Sequence, residues 1–588
     1  MKPISLLLWS LTWLCLSCGR EGEGLSHHLL GSSDPWLVHP SQEEIELGQT
    51  TEGSYLVGFK SPDTRLENYS FSNSLPSRRD AIHQIGLMAD KSEVQSMALL
   101  ANLNLSSPKK SFALPRKLSG PELLDWGESN FDDRLSIMKV TFSSKEDADR
   151  VLNEWYRQGK IYYAEPNYIS QTGGSFEQSV IADFSDSTSF PWLDQISFIE
   201  AFEYLDSNEP NSTPIVAVMD SGVDVLHPSL QDNIYTNTQG QNKLCVDDQY
   251  GCDTTEGFKD VLGKGTVYPA GTTGFGQACV GEQSNCSHGT HVAGMIAARD
   301  FGSSYIGVCP YCSILVVKVV GIKEEGGKES FQIEDSAIIA GLAYVSGFTV
   351  NGEPLVRVIN ASFGKFQRSR SVGLFIESLK NFGKGVLTIA AAGNEDTMKR
   401  QYPAAFDDVI AVSNVESSKA LPQKSPSSNF GMWVDIAAPG SGEGFPGGGG
   451  ILSTIPGGGS YCSEGTSMAS PIVAGVAGLI LATNPNLNTA ELRERLLNSA
   501  LPDNLYQDGV NNTYRPRVDG GTLVPLLGGG VVNAWAAVDQ SVQKSDPVFS
   551  EKRDVVRPGC GSIGQANASS VFLFLLLPFI LLLVRTRD

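Results

Sequence analysis

From residue 214 onward, short uninterrupted apolar runs alternate with longer stretches of helical periodicity. The runs are PIVAVMD (214–220), SILVVKVV (313–320), LVRVINAS (355–362), GVLTIAAAG (385–393) and DVIAVSN (408–414). Between them lie HVAGMIAA (291–298), EDSAIIAGLAYV (334–345) and VGLFIESLKNFG (372–383), whose apolar positions recur at helical spacing. A strand without polar alternation is buried on both faces, and helices placed between such strands cover a parallel sheet. The pattern predicts an α/β domain over 191–541: a mostly parallel sheet with helices on both faces. In such a sheet, reactive groups gather beyond the carboxyl ends of the strands.

A different pattern precedes it. YLVGFK (55–60), LSIMKVTF (135–142) and IYYAEPNYI (161–169) read as strands, and the stretch near 148–159 as an amphipathic helix. Together they predict a small α+β domain over 52–170, interrupted by an insertion with helical character at 79–105. Polar linkers are expected at 20–51 and 542–565, and a Ser/Gly/Asp-rich one at 171–190. The first 19 residues, with Lys2, an apolar run over 4–16 and then Ser17, Cys18 and Gly19, have the layout of a secretory signal peptide. Cys18 after Leu-Ser is also compatible with the acylated cysteine of a bacterial lipoprotein. At the far end, the uniformly apolar run 571–584 is closed by Arg585 and Arg587. A terminal helix packed on the domain would show a polar face, and this run has none. Residues 566–588 therefore predict a membrane or sorting segment, although 14 apolar residues are fewer than the roughly 20 a spanning helix needs. The expected location is outside the cell or on its surface.

Length and charge sharpen this only a little. A chain of 588 residues is too long for one core. Its formal charge of −21 excludes the basic face that a nucleic-acid binder needs. Of the ten cysteines, six fall into close pairs, Cys245/Cys252, Cys279/Cys286 and Cys309/Cys312, which in an exported chain read as local disulfides. Cys462 is left over. Cys309-Pro-Tyr-Cys312 also matches a redox C-x-x-C, but it stands before a buried strand rather than opening a helix after one, which favours a structural bond.

Four polar residues stand where chemistry is expected. Asp220 ends one buried strand and Asn394 follows another; His288 opens a helix of small residues; Ser467 lies where GTSMASP opens another helix. Each has an ordinary structural role available: a turn aspartate, a helix-start histidine, a strand-edge amide, a capping serine. His288 and His291 form H-x-x-H, but a metalloprotease helix carries H-E-x-x-H, which is absent. Taken together, the four supply what acyl transfer requires. A hydroxyl becomes nucleophilic when an imidazole accepts its proton, and a carboxylate orients that imidazole. An amide and a helix-start N–H can hold the oxyanion. The small residues Gly465, Ala469, Gly475 and Gly478 are expected to let the helix and a substrate approach closely.

The blocks DSGVDVLHP, HGTHVAG, NASFG, AAAGN and GTSMASP resemble those of the subtilisin-like serine proteases, in that family's order. The resemblance covers roughly 185–541. It implies a serine endopeptidase with Asp220, His288 and Ser467 as triad and Asn394 as oxyanion donor, with His291 structural. It also implies substrate contacts at Ser362, Phe363 and Gly364, where a bound peptide adds as a strand, and at Ala391, Ala392 and Gly393. The early domain is similar to the family's inhibitory propeptide, which implies a zymogen whose own prosegment acts as inhibitor and folding aid and is cut away by the enzyme. Substrates would be proteins or peptides, with no nucleic acid and no cofactor for the chemistry. A structural calcium is compatible with the family, but Ser229 stands where an aspartate ligand is usual, and Asp300 in a turn does not make a site, so no metal ligands are assigned. The tail from Pro558 resembles tripartite surface-sorting signals. Two rival functions remain: a non-catalytic binding protein on a protease fold, and a thiol-disulfide protein using Cys309 and Cys312.

Overall fold

In the computed structural model, described residues are 50–60, 122–124, 135–142, 145–157, 161–172 and most of 191–539, where 261–283 is the longest stretch left outside. The early segment forms β1 (Thr50–Lys60), β2 (Glu122–Leu124), β3 (Leu135–Thr141), helix α1 (Lys145–Arg157) and β4 (Ile161–Thr172). The strands pair antiparallel in the order β2-β3-β1-β4. In α1, Ala148, Val151, Leu152 and Trp155 recur at i, i+3, i+4 and i+7 and are buried, which is why this polar sequence settles as a helix on the sheet. The sheet's other face is covered as well: Leu56 and Ile137 belong to one core cluster with Ile338, Ile339 and Phe375, from two helices of the larger domain.

That domain is built on β5 (Ile215–Asp220), β6 (Gly251–Asp253), β7 (Lys259–Asp260), β8 (Ser313–Lys318), β9 (Gly321–Glu325), β10 (Lys328–Glu334), β11 (Thr349–Val350), β12 (Glu353–Pro354), β13 (Val356–Ala361), β14 (Phe363–Gly364), β15 (Leu387–Ala391), β16 (Val409–Glu416), β17 (Gln423–Lys424), β18 (Ile436–Ser441), β19 (Ile451–Ile455) and β20 (Gly459–Ser463). The main sheet runs β17-β16-β15-β13-β5-β8-β6-β7, with β18 also on β16. Its contacts from β6 through β8, β5, β13, β15 and β16 to β18 are all parallel. All five apolar runs are strands of this sheet.

Side-chain alternation divides β5 between two cores. Val216 and Val218 face the cluster built with α2 (Phe198–Ser207), α3 (Ser284–Ala297), α6 (Thr466–Thr483) and α7 (Thr489–Ser499). Ile215, Ala217 and Met219 face the one built with α4 (Asp335–Ser346) and α5 (Arg370–Asn381). Helix α6 is apolar all round because it is enclosed all round. Ile472, Val473, Val476, Leu479 and Ile480 have no exposed surface, and burial of each contributes about 1.5–3 kcal/mol. Among the described residues it alone is long and apolar enough to cross a membrane, but it is a core helix. The expected signal peptide and C-terminal membrane segment lie outside the described residues.

The two sheets meet through β4. Beyond its own domain, β4 pairs antiparallel with β10 (Ser170 opposite Ile333) and then with β14, Gln171 opposite Gly364 and Thr172 opposite Phe363. The early domain thus lays the end of its last strand on the segment that the sequence marks for substrate.

Candidate active site

Asp220 is the last residue of β5, and His288 lies in the first turns of α3; both side chains are fully buried. His288 Nδ1 is 2.8 Å from Asp220 Oδ1 and 2.9 Å from Oδ2, so the carboxylate grips one ring nitrogen and leaves the tautomer with Nε2 as the basic atom. Asp220 Oδ1 also accepts from Ser221 N at 2.7 Å, which fixes the carboxylate plane. The glycine after His288 is obligatory: a Cβ on Gly289 would collide with the Gly222 carbonyl oxygen. Close approach lets Gly289 N donate to Ser221 Oγ (3.0 Å) and Asp224 N donate to Thr290 Oγ1 (2.9 Å), tying the two blocks together.

Ser467 is the second residue of α6, after Gly465, whose φ of +137° no larger residue adopts readily. Its Oγ donates to the Ser362 carbonyl oxygen at 3.1 Å. Pro471 lies four residues on and has no N–H, so the Ser467 carbonyl lacks its helical donor. Ser362 Oγ supplies that bond at 2.9 Å, and is itself held by Asn360 Nδ2 at 2.9 Å. Ser470 Oγ donates to Asn360 Oδ1 (2.8 Å) and closes the network. Ser362 is therefore both a strand-edge residue and the clamp on the start of α6.

Asn394 follows β15 and Gly393. Its Oδ1 accepts from Thr466 N (2.9 Å) and Thr466 Oγ1 (3.0 Å), which turns Nδ2 away from Thr466. The residue just before Ser467 thereby orients the amide, a role not evident in the GTS motif. Gly393 N donates to the same Thr466 Oγ1 at 3.0 Å, and Ala391 and Ala392 are buried beneath it. Phe363 and Gly364 carry the β4 pairing described above.

His291 is confirmed as a structural residue. Its Nε2 reaches the carbonyl oxygens of Ile451 (3.1 Å) and Tyr461 (3.0 Å), pinning α3 to the β19–β20 hairpin. Burial pulls its pKa down to about 3, so the ring is neutral. Among the described residues no group of three or more His, Cys, Asp or Glu is arranged to hold a metal ion. In the structure Cys309 is paired with Cys312 and Cys245 with Cys252; Cys279, and with it the expected Cys279–Cys286 pair, lies outside the described residues, and Cys462 is a buried free thiol. The small residues of α6 need a corrected explanation. A Cβ on Gly475 would press on Val308, and one on Gly478 would collide with Cys312 Sγ. These two glycines admit the 308–312 segment and its disulfide, not a substrate.

A parallel sheet covered by helices on both faces, with a buried carboxylate–imidazole pair at the carboxyl end of one strand, defines the class: an α/β fold of the subtilisin type. Residues 211–517 match the model of the subtilase family. The chain is 30% identical to subtilisin NAT of Bacillus subtilis subsp. natto over 382 residues, covering 64% of this chain and 87% of that protein. It is 36% identical to subtilisin DY of Bacillus licheniformis over 225 residues, or 37% of this chain and 73% of the relative. Fervidolysin from Fervidobacterium pennivorans, a keratinolytic enzyme related to subtilisin, superposes with a TM-score of 0.51 at 20% identity. That match covers 84% of this chain and 62% of fervidolysin, a likeness of fold. The chain belongs to the subtilase family and is a subtilisin-like serine endopeptidase, a hydrolase.

Proposed function

We propose that the chain is an exported endopeptidase made as a zymogen, with Asp220, His288 and Ser467 as its triad. His288 takes the Ser467 hydroxyl proton as Oγ attacks a peptide carbonyl, and Asp220 stabilises the imidazolium that results. Asn394 Nδ2 and the Ser467 backbone N–H receive the oxyanion, helped by the N-terminal end of α6. The C–N bond then breaks, the proton passes to the leaving amine, and water hydrolyses the acyl-enzyme. The observation that carries this reading is the doubly hydrogen-bonded Asp220–His288 pair, set by strand and helix termini in a fully buried position.

Residues 52–170 act as inhibitor and folding template. Support comes from β4, which occupies β14 as an added strand, and from Glu165 of β4. That buried carboxylate accepts from Arg370 N (2.9 Å), Ser371 N (2.9 Å), Ser371 Oγ (2.6 Å) and Ser369 Oγ (3.2 Å), capping the N-terminus of α5. Asn167 makes the matching contact at α4, donating to Glu334 Oε2 (2.9 Å) and accepting from Ser336 N (3.1 Å). Removal of the prosegment would open β14 to protein and peptide substrates. The segment 566–588 would hold or sort the protein at a membrane.

A fluorophosphonate tests the nucleophile, because only an activated serine reacts. Wild type is expected to label at Ser467 and to carry a processed N-terminus within 168–191. Ser467→Ala is expected to stay unlabelled and full-length with its fold intact. Equal processing in the two proteins would refute self-cleavage, and labelling elsewhere would refute Ser467.

A further inference from the structure

Asn394 sits in a turn just past β15, and one buried side chain fills the inside of that turn. Asn429, in the loop between β17 and β18, has no exposed surface. Its Oδ1 accepts from Glu395 N at 3.0 Å and from Thr397 N at 3.1 Å. Its Nδ2 donates to the Ala392 carbonyl oxygen at 2.9 Å and to Glu395 Oε2 at 2.6 Å. Its backbone N donates to the Gly393 carbonyl oxygen at 2.9 Å. A primary amide offers two acceptor positions and two donor protons, and here all four are used. The same bonds decide which end of the amide is which. Flipped, it would set Nδ2 against two N–H groups and its oxygen against a carbonyl and a carboxylate. An ionised aspartate in its place would have no proton for the Ala392 carbonyl.

These bonds fall on both sides of Asn394, at 392 and 393 before it and at 395 and 397 after it. The turn needs such partners. Asp396 has a φ of +48°, the left-handed region that a residue with a Cβ disfavours. The loop that carries Asn429 holds this residue too, since Asp396 N donates to the Ser427 carbonyl at 2.9 Å and Lys424 Nζ donates to Asp396 Oδ1 at 2.6 Å. Gly393, with φ +100°, makes room for the brace, because a Cβ there would collide with Asn429 Nδ2. Thr466 governs a different degree of freedom. Through Asn394 Oδ1 it sets the rotation of the amide, whereas the point from which the amide hangs is set by the backbone of 392–397.

We infer that Asn429 is a positioning residue for the oxyanion: it acts on the reaction through Asn394, by holding the turn from which that amide reaches the developing charge. This rests on the reading above in which Asn394 is the oxyanion donor. Misplacing a positioned group by about 1 Å can cost about 10²-fold in rate. The loss open to Asn429 is bounded by that of deleting the donor itself, about 10²–10³-fold.

The test is a double-mutant cycle in kcat. Each variant is matured from the full chain with immobilised wild type, which is then removed, and its active sites are counted by complete reaction with a fluorophosphonate. Asn429→Ala is expected to lower kcat by about tenfold or more while KM changes by less than about threefold. In the Asn394→Ala background the same change is expected to lower kcat by less than about threefold, because the amide it positions is already gone. Asn429→Ser, which keeps a hydroxyl inside the turn, carries the same cycle if the alanine chain does not fold. An unchanged kcat in Asn429→Ala, or an equal fall in both backgrounds, would overturn the inference. A rise in KM at constant kcat would overturn it as well, leaving Asn429 a support for substrate binding alone. Wild-type kcat in Asn394→Ala would instead overturn the oxyanion reading beneath it.

Discussion

Asn394 shows how much of the site depends on neighbours. Asn394→Ala removes the oriented amide and is expected to lower kcat by about 10²–10³ with KM little changed, the size seen for the comparable donor of subtilisin, a relative. Thr466→Val keeps the backbone donor but loses Oγ1 from both Asn394 and Gly393. Steady-state kinetics are expected to show a smaller fall in kcat, again at constant KM. His291 predicts the acid limb of stability. Its folded pKa of about 3 lies below the ordinary 6.5, so the unfolded chain binds the proton more readily. The stabilisation is complete above pH 6.5 and is lost as pH falls towards 3, at no more than about 1.4 kcal/mol per pH unit from this ring. His227, also pushed down by burial, adds in the same direction. Urea midpoints of Ser467→Ala across pH 4–7 measure the slope, which His291→Gln is expected to flatten while costing on the order of 1–3 kcal/mol at pH 7. The four candidate positions could be named from the sequence because each sits in a short block of its own. The aim of the Asn394 amide could not, because only the path of the backbone brings Thr466 against it.

The uninterrupted apolar runs were read correctly as strands, and α1 as a helix, since burial on two faces or on one stripe leaves a direct trace in composition. The two-residue strand β14 and the β9–β10 hairpin carry no such trace. β14 exists because β4, nearly two hundred residues earlier, pairs with it. Glu165 belongs to the same scale: AEPNY reads as a strand, while the helix start that its carboxylate caps is known only from the fold. Glu165→Ala leaves the two backbone donors of α5 and the hydroxyls of Ser369 and Ser371 without their acceptor, a loss on the order of 1–3 kcal/mol or more. In full-length Ser467→Ala the added change is expected to expose the early domain to trypsin sooner, while 191–539 stays resistant. Equal digestion rates would show that the cap does not hold the domain.

At the scale of the whole molecule, covalent and spatial economy make separate predictions. Peptide mapping without reductant is expected to recover Cys245–Cys252 and Cys309–Cys312, with Cys462 alkylated only after unfolding, since burial pushes its thiol up to about 11. The described fold closes at Asp539, so truncation at Asp546 is expected to leave peptidase activity whole and to shift the enzyme from the membrane to the soluble fraction. By itself the sequence determined the layered α/β sheet and the subtilase family, and it marked the residue types at 220, 288, 394 and 467 as candidates. Hydrophobic period and local blocks record those directly. Only the tertiary structure decided that two glycines of α6 admit a disulfide, that Thr466 aims Asn394 and that Glu165 caps a helix of the other domain. Each of these is a contact between groups far apart in the chain, and a contact of that kind leaves no periodicity in either partner.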